Sequence, residues 1–108
     1  MKTSQLPTMY RQGDVLIRRV DTIPEAAELA DSSILVHGKA TGHAHRLVGG
    51  DHLQVIDMGR VTAQFARVTA GFATIVHEEH ATVTLPPGSY EISRQREYRP
   101  EAPINVAD

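Results

Sequence analysis

The 108-residue sequence contains no cysteine and no tryptophan, and its aromatic residues are three tyrosines and two phenylalanines. The absence of cysteine excludes disulfide bonds, iron–sulfur clusters, thiolate zinc sites and cysteine nucleophiles. The fold must therefore be held together by an ordinary apolar core, and we expect residues 1–108 to form a single domain. Any transition-metal chemistry must use histidine and carboxylate ligands, and the sequence holds six histidines.

The sequence also lacks an excess of positive charge and a long apolar run. Its formal net charge is -2, so there is no basic field to hold nucleic acid, and few aromatic rings are available to stack on bases. The apolar runs are too short to span a membrane, and the first ten residues do not resemble a secretory signal. We therefore expect a cytoplasmic protein that has neither nucleic acid nor membrane as a partner.

Short segments of β-type sequence, separated by turn residues, make up most of the chain. The segments predicted as strands are residues 14–20, 34–36, 43–48, 52–58, 60–69, 72–76, 82–85 and 89–98. The glycine-rich sequence at residues 49–51 predicts a hairpin that joins the third and fourth of these strands. Strands of this number and length predict an all-β fold, either a small β-barrel or a β-sandwich.

One short helix is predicted before the main run of strands, at residues 24–30. Pro24 suits the first turn of a helix, and Glu25 suits the positive end of the helix dipole. Residues 1–9 and 99–108 are polar or proline-containing, and we expect them to be extended or loosely packed.

The first segment that indicates chemistry is His43-Ala44-His45, which Gly38 and Gly42 precede. Alternate residues of a strand share a face, so both imidazoles point the same way from Cα atoms about 6.5–7 Å apart. That separation lets them converge on one metal ion, and the glycines allow the backbone to turn tightly. The alternative interpretation is a pair of surface histidines on one strand face.

The second segment is His77-Glu78-Glu79-His80. On a continuous strand these two histidines would face opposite ways, and only one could join the first pair. If Glu78 and Glu79 form a turn, His77 and His80 face each other across two strands, although two glutamates suit only a looser turn or a bulge. The alternative is a solvated polar loop.

Together the two segments predict a metal site, because four of the six histidines fall in two tight groups. Three histidines with an open position are typical of catalytic zinc, and added carboxylate shifts the preference toward manganese, iron or nickel. We expect a divalent ion, zinc before the others. Its candidate ligands are His43, His45, His77 and His80. The isolated His37 and His52 are expected to lie at the surface or to support the site.

Candidate catalytic residues flank these histidines. Glu78 or Glu79 could act as general base or as a further ligand. On the last strand Arg94 and Tyr98 share a face, from which they could orient an anionic substrate. The alternative for that strand is an edge whose charges are solvated.

A family resemblance follows from these motifs. Gly38 followed by His43-Ala44-His45 resembles the first motif of the cupins, and Pro86-Pro87-Gly88 resembles the turn of their second motif. This resemblance implies a small jelly-roll barrel that holds a divalent metal on three histidines and a glutamate. The chain is also similar to a family of small uncharacterised bacterial proteins with Thr-Gly-His-x-His and His-Glu-Glu-His segments, a similarity that implies no function.

Three functions are compatible with the sequence. The first is a metalloenzyme that activates water or a small anionic substrate, with lyase, hydrolase, isomerase and dioxygenase reactions all open. The second is a non-catalytic module that binds a metal or another ligand, and for either we expect a homodimer or larger homo-oligomer. The third is a metal-free protein-interaction domain whose histidines form a pH-responsive surface.

Overall fold

The computed structural model describes residues 7–38 and 42–95, and these residues form ten β-strands and no helix. The strands are β1 (Met9–Gln12), β2 (Val15–Val20), β3 (Glu28–Leu29), β4 (Ile34–His37), β5 (Ala44–Val48), β6 (Asp51–Asp57), β7 (Arg60–Val68), β8 (Ala73–Val76), β9 (Val83–Leu85) and β10 (Gly88–Arg94). The predicted all-β fold is confirmed.

The strands form two antiparallel sheets that enclose one apolar core. The larger sheet has the order β1-β2-β10-β7-β6-β3, and the smaller has the order β4-β5-β8-β9. The large sheet contributes the fully buried Ile17 and Tyr90, and the small sheet contributes Ile75 and Leu85. Because each sheet buries one face against the other, the fold is a small β-sandwich.

Strand β10 shows the alternation that places one face in this core. Tyr90 and Ile92 are buried, whereas Glu91 between them points outward and forms an ion pair with Arg18 on β2. Burial also raises the pKa of Tyr90, whose hydroxyl donates to the carbonyl oxygen of Pro86 at 2.5 Å. The alternation between buried and outward-facing residues continues as far as Ser93, and Arg94 at the end of the strand is exposed.

The helix predicted at residues 24–30 is wrong. The Ala27 N–H donates to the Pro24 carbonyl oxygen at 3.0 Å, which closes a single turn, and the chain then enters β3 and pairs with β6. Most side chains of this segment are exposed. Two helical turns therefore lack an apolar face whose burial could offset the cost of helix nucleation.

The hairpin predicted at residues 49–51 is also wrong, because β5 and β6 belong to different sheets. Gly49 and Gly50 instead carry the chain from one sheet to the other. A Cβ atom on Gly50 would lie 3.1 Å from the Arg67 carbonyl oxygen, a tight contact, so the crossing favours a residue without a side chain. The hairpin forms one strand later, between β6 and β7, where Met58 and Gly59 have φ values of 53° and 79°, typical of a type I′ turn.

The ends of the sequence lie largely outside this description. Residues 1–6 and 96–108 are not part of it, so the loose packing expected there, and the assignment of all 108 residues to one domain, stay predictions. Met9, expected in the loose lead-in, is the first residue of β1. In the described part of the chain, no helix is long and apolar enough to cross a membrane.

Candidate metal centre

The two histidine pairs predicted from the sequence lie together at one end of the sandwich. The ring centroid of His77 is 5.7 Å from that of His43, 4.3 Å from that of His45 and 4.6 Å from that of His80. The rings of His45 and His80 are stacked, with centroids 5.9 Å apart. His77 is therefore the centre of the cluster, and all four candidate ligands belong to it.

The loop between β8 and β9 brings His77 and His80 together. The last pair of the ladder is Ile75 with Val83, so the connection is longer than the two-residue hairpin considered above. The Glu79 N–H donates to Nδ1 of His77 at 3.0 Å, which folds the loop back on itself. The two imidazoles therefore approach each other through a looser turn.

Three side chains place metal-ligating atoms close to one another. One atom from each of His43, His77 and Glu78 lies within 4.8 Å of the other two. Ligands that surround a zinc ion tetrahedrally at 2.0–2.1 Å lie about 3.3 Å apart. The three side chains are therefore near one another, and coordination of one ion would require their ligating atoms to move closer together.

Glu78 is held in place by two contacts to the neighbouring strand. Its Oε1 accepts from the Ala44 N–H at 2.9 Å, and its Oε2 accepts from Nη1 of Arg46 at 3.0 Å. The Ala44 hydrogen bond is the largest of the causes that lower the pKa of Glu78 to about 2. A carboxylate with so low a pKa is a weak general base, so its contacts favour a role as anchor or ligand.

The other candidate catalytic residues differ in what surrounds them. Glu79 is exposed, and its Oε2 lies 3.5 Å from Nδ1 of His43. Arg94 donates from Nε to Oδ2 of Asp14 at 2.8 Å, and this contact lowers the pKa of Asp14. Tyr98 lies outside the described residues.

His45 is the most buried of the clustered histidines, with 2% of its surface exposed. Burial, followed by repulsion from His77, lowers its pKa to about 4, while the nearby Asp14 acts in the opposite direction. His45 is therefore neutral at physiological pH. Neutral imidazole is the form that binds a metal ion.

Gln12, which the sequence did not single out, organises the cluster from the end of β1. Its Oε1 lies 2.8 Å from Nδ1 of His45. Its Nε2 donates to the carbonyl oxygens of Ile75 at 2.8 Å and Ala81 at 2.9 Å. The side chain is 2% exposed, and its polar atoms are paired as burial requires, but no local pattern in the sequence signals this.

Gly13 follows Gln12 in the turn between β1 and β2 and lies directly against His80. A Cβ atom on Gly13 would be 2.7 Å from Nε2 of His80, and the residue has a φ of 61°. Glycine therefore satisfies two requirements here, the left-handed backbone and the close approach of the imidazole.

The two isolated histidines are not members of the cluster. His37 is exposed at the end of β4. His52 is buried, and its ring nitrogens lie 2.7 Å from the Ser32 carbonyl oxygen and 2.8 Å from Oε1 of Gln64. His52 therefore links β6, β7 and the chain before β4.

These observations define a class of protein, a small antiparallel β-sandwich with a cluster of four histidines and two glutamates at one end. A family model described as "Domain of unknown function (DUF8820)" matches residues 11–95, and the chain belongs to this family. The matched span contains Gln12, both histidine pairs and Arg94. The searches of curated proteins and of solved structures found no match.

Proposed function

We propose that this protein binds a divalent transition-metal ion at the histidine cluster. The observation that carries the proposal is the set of ligand atoms from His43, His77 and Glu78 within 4.8 Å of one another. Imidazole and carboxylate donors without thiolate suit zinc, and they also suit manganese, iron and nickel. The neutral state of His45 beside this set adds support.

His77 is the residue on which the proposed site depends most. It belongs to the set that contains His43 and Glu78, and its ring also lies against those of His45 and His80. Loss of its imidazole should therefore weaken binding more than loss of any other single histidine.

Binding is better supported than catalysis, because two of the three described residues suggested for catalysis already have partners for their side chains. Glu78 is bonded to Ala44 and Arg46, and Arg94 is bonded to Asp14. Glu79 is the more exposed of the two glutamates, and its carboxylate lies close to His43. If the proposed centre activates water or an anionic ligand, Glu79 is the nearest candidate base.

The test is calorimetric titration of untagged, metal-free protein with zinc, manganese, iron(II) and nickel, followed by elemental analysis. We expect stoichiometric binding of zinc, and a large loss of affinity in H77A. The matched control is H37A, which removes an exposed histidine outside the cluster and should bind like the wild type. Circular dichroism establishes that both variants are folded. Failure of the wild type to bind any of these ions, or equal binding by H77A and H37A, would overturn the proposal.

A further inference from the structure

The buried amide of Gln12 makes three hydrogen bonds whose directions are mutually determined. Ile75 and Ala81 both present carbonyl oxygens, which only accept, so the NH2 group of Gln12 must face them. The amide oxygen then faces Nδ1 of His45. An amide oxygen cannot donate, so Nδ1 of His45 must carry the proton in this contact.

The position of that proton determines what the rest of the imidazole can do. A neutral histidine protonated at Nδ1 has its free lone pair on Nε2. The ring that carries this lone pair is tilted against the ring of His77 and stacked with the ring of His80. A metal ion binds a lone pair and not an N–H group, so the Gln12 contact leaves His45 in the tautomer that a metal at Nε2 requires.

We propose that Gln12 is a positioning residue that fixes the Nδ1–H tautomer of His45 and thereby presents Nε2 of His45 as a metal ligand. The ligand part rests on the proposed metal-binding function, whereas the tautomer part is a property of the metal-free protein.

The amide of Gln12 also links the second histidine pair to the first. Ile75 lies before the loop that carries His77 and His80, and Ala81 lies directly after His80. The two N–H bonds of Gln12 therefore hold both sides of the loop, while its oxygen holds His45. A single side chain thus determines where His45 lies relative to His77 and His80.

Two substitutions separate these roles. Q12M keeps the length of the side chain but removes every hydrogen bond. Q12E keeps an oxygen that can accept from Nδ1 of His45 and loses the pair of N–H donors. The matched control is Q54M, which makes the same exchange at a half-buried glutamine on β6.

The first measurement is the tautomer of His45 in metal-free protein at neutral pH, from long-range proton–nitrogen NMR spectra of the imidazoles. We expect Nδ1–H in the wild type, Q54M and Q12E, and a shift toward Nε2–H in Q12M. The second measurement is zinc affinity. It should fall about 10- to 100-fold in Q12M, which is typical when the partner of a ligating histidine is removed. Q12E keeps the acceptor for His45 but loses both N–H bonds to the loop, so it should recover only part of this loss.

Each outcome decides one part of the proposal. Nε2–H in the wild type, or the same tautomer in Q12M as in the wild type, overturns the tautomer assignment. If the tautomers are as expected but Q12M binds zinc as tightly as the wild type, His45 is not a ligand. If the tautomers are as expected but the wild type does not bind zinc, the proposed function is overturned, while the role of Gln12 in fixing the tautomer stands. The wild-type spectrum needs no variant, so a folding defect in Q12M does not prevent the test.

Discussion

The backbone N–H of Glu79 donates to Nδ1 of His77, 3.0 Å away. This contact occupies the Nδ1 lone pair, so the proton of a neutral His77 resides on Nε2. A metal ion bound at Nδ1 would replace the hydrogen bond directly. A metal ion bound at Nε2 would move the ring proton to Nδ1, which could then no longer accept. Metal binding by either nitrogen of the neutral ring therefore breaks the contact with Glu79.

The first prediction concerns this hydrogen bond. Saturating zinc should move the amide proton resonance of Glu79 toward the value of an amide without a hydrogen bond, because its acceptor is lost. The measurement is proton–nitrogen NMR of labelled protein with and without zinc. The control is the Ala30 amide, which donates to the His52 carbonyl oxygen at 2.8 Å and should not respond. Zinc bound with the Glu79 resonance unchanged would show that His77 is not a ligand.

A second prediction uses the contact between Gly13 and His80. G13A should lose about 1–2 kcal/mol of stability because of its left-handed backbone, and its methyl group should displace the imidazole of His80. G71A is a matched control, since Gly71 has a φ of 69° and the described residues leave open space around its Cα. Urea unfolding should show a lower free energy of unfolding in both variants. The decrease should be larger in G13A, because its methyl group also meets His80. Zinc affinity should fall only in G13A, and equal affinities would contradict a role for His80.

The third prediction is a loss of stability in acid. The pKa of His45 falls from 6.5 to about 4 on folding, so the unfolded chain binds the proton more tightly. Stability is therefore retained above pH 6.5 and lost as the pH falls toward 4, by up to about 1.4 kcal/mol per pH unit. Denaturant unfolding of metal-free protein at several pH values in this range gives the free energy of unfolding. Its change with pH should have a steeper slope for the wild type than for H45N. H37N should keep the wild-type slope. Equal slopes for H45N and the wild type would exclude His45 as the source.

A fourth prediction distinguishes the two adjacent glutamates. E78Q keeps an oxygen for the Ala44 N–H but removes the charge from the set with His43 and His77. If the carboxylate is a ligand, zinc affinity should fall by about tenfold or more. E79Q removes an exposed carboxylate from the same loop and should change affinity far less. Calorimetry provides both values, and the reverse order would assign the ligand role to Glu79.

The features that the sequence predicted well depend on local periodicity. The β-type segments at residues 14–20 and 89–98 correspond to β2 and β10, and the compositions of the two histidine segments indicated where ligating atoms would concentrate. The sequence does not decide the conformation of the loop that carries His77 and His80. The β-branched residues on either side predict where the strands lie, but the turn between them depends on contacts such as that from Glu78 to β5.

The features that the sequence did not predict depend on distant contacts or on packing. Gln12 bonds a carbonyl group 63 positions later, and no local pattern reports that proximity. The segment that begins at Pro24 has helix-start residues but nothing to pack against. Gly49 and Gly50 suit a tight hairpin and equally suit a close crossing between sheets, and only the pairing of β6 with β7 decides between these alternatives.

The wide sequence separation of Gln12 from its partners has a consequence for folding. Its contacts join the first strand to residues near the other end of the described chain, so they close very long loops. Contacts of this kind are costly to form early, because the entropy of the intervening chain must be lost first. The cluster is therefore complete only when the two sheets have assembled, and the proposed metal binding would depend on the assembled sandwich.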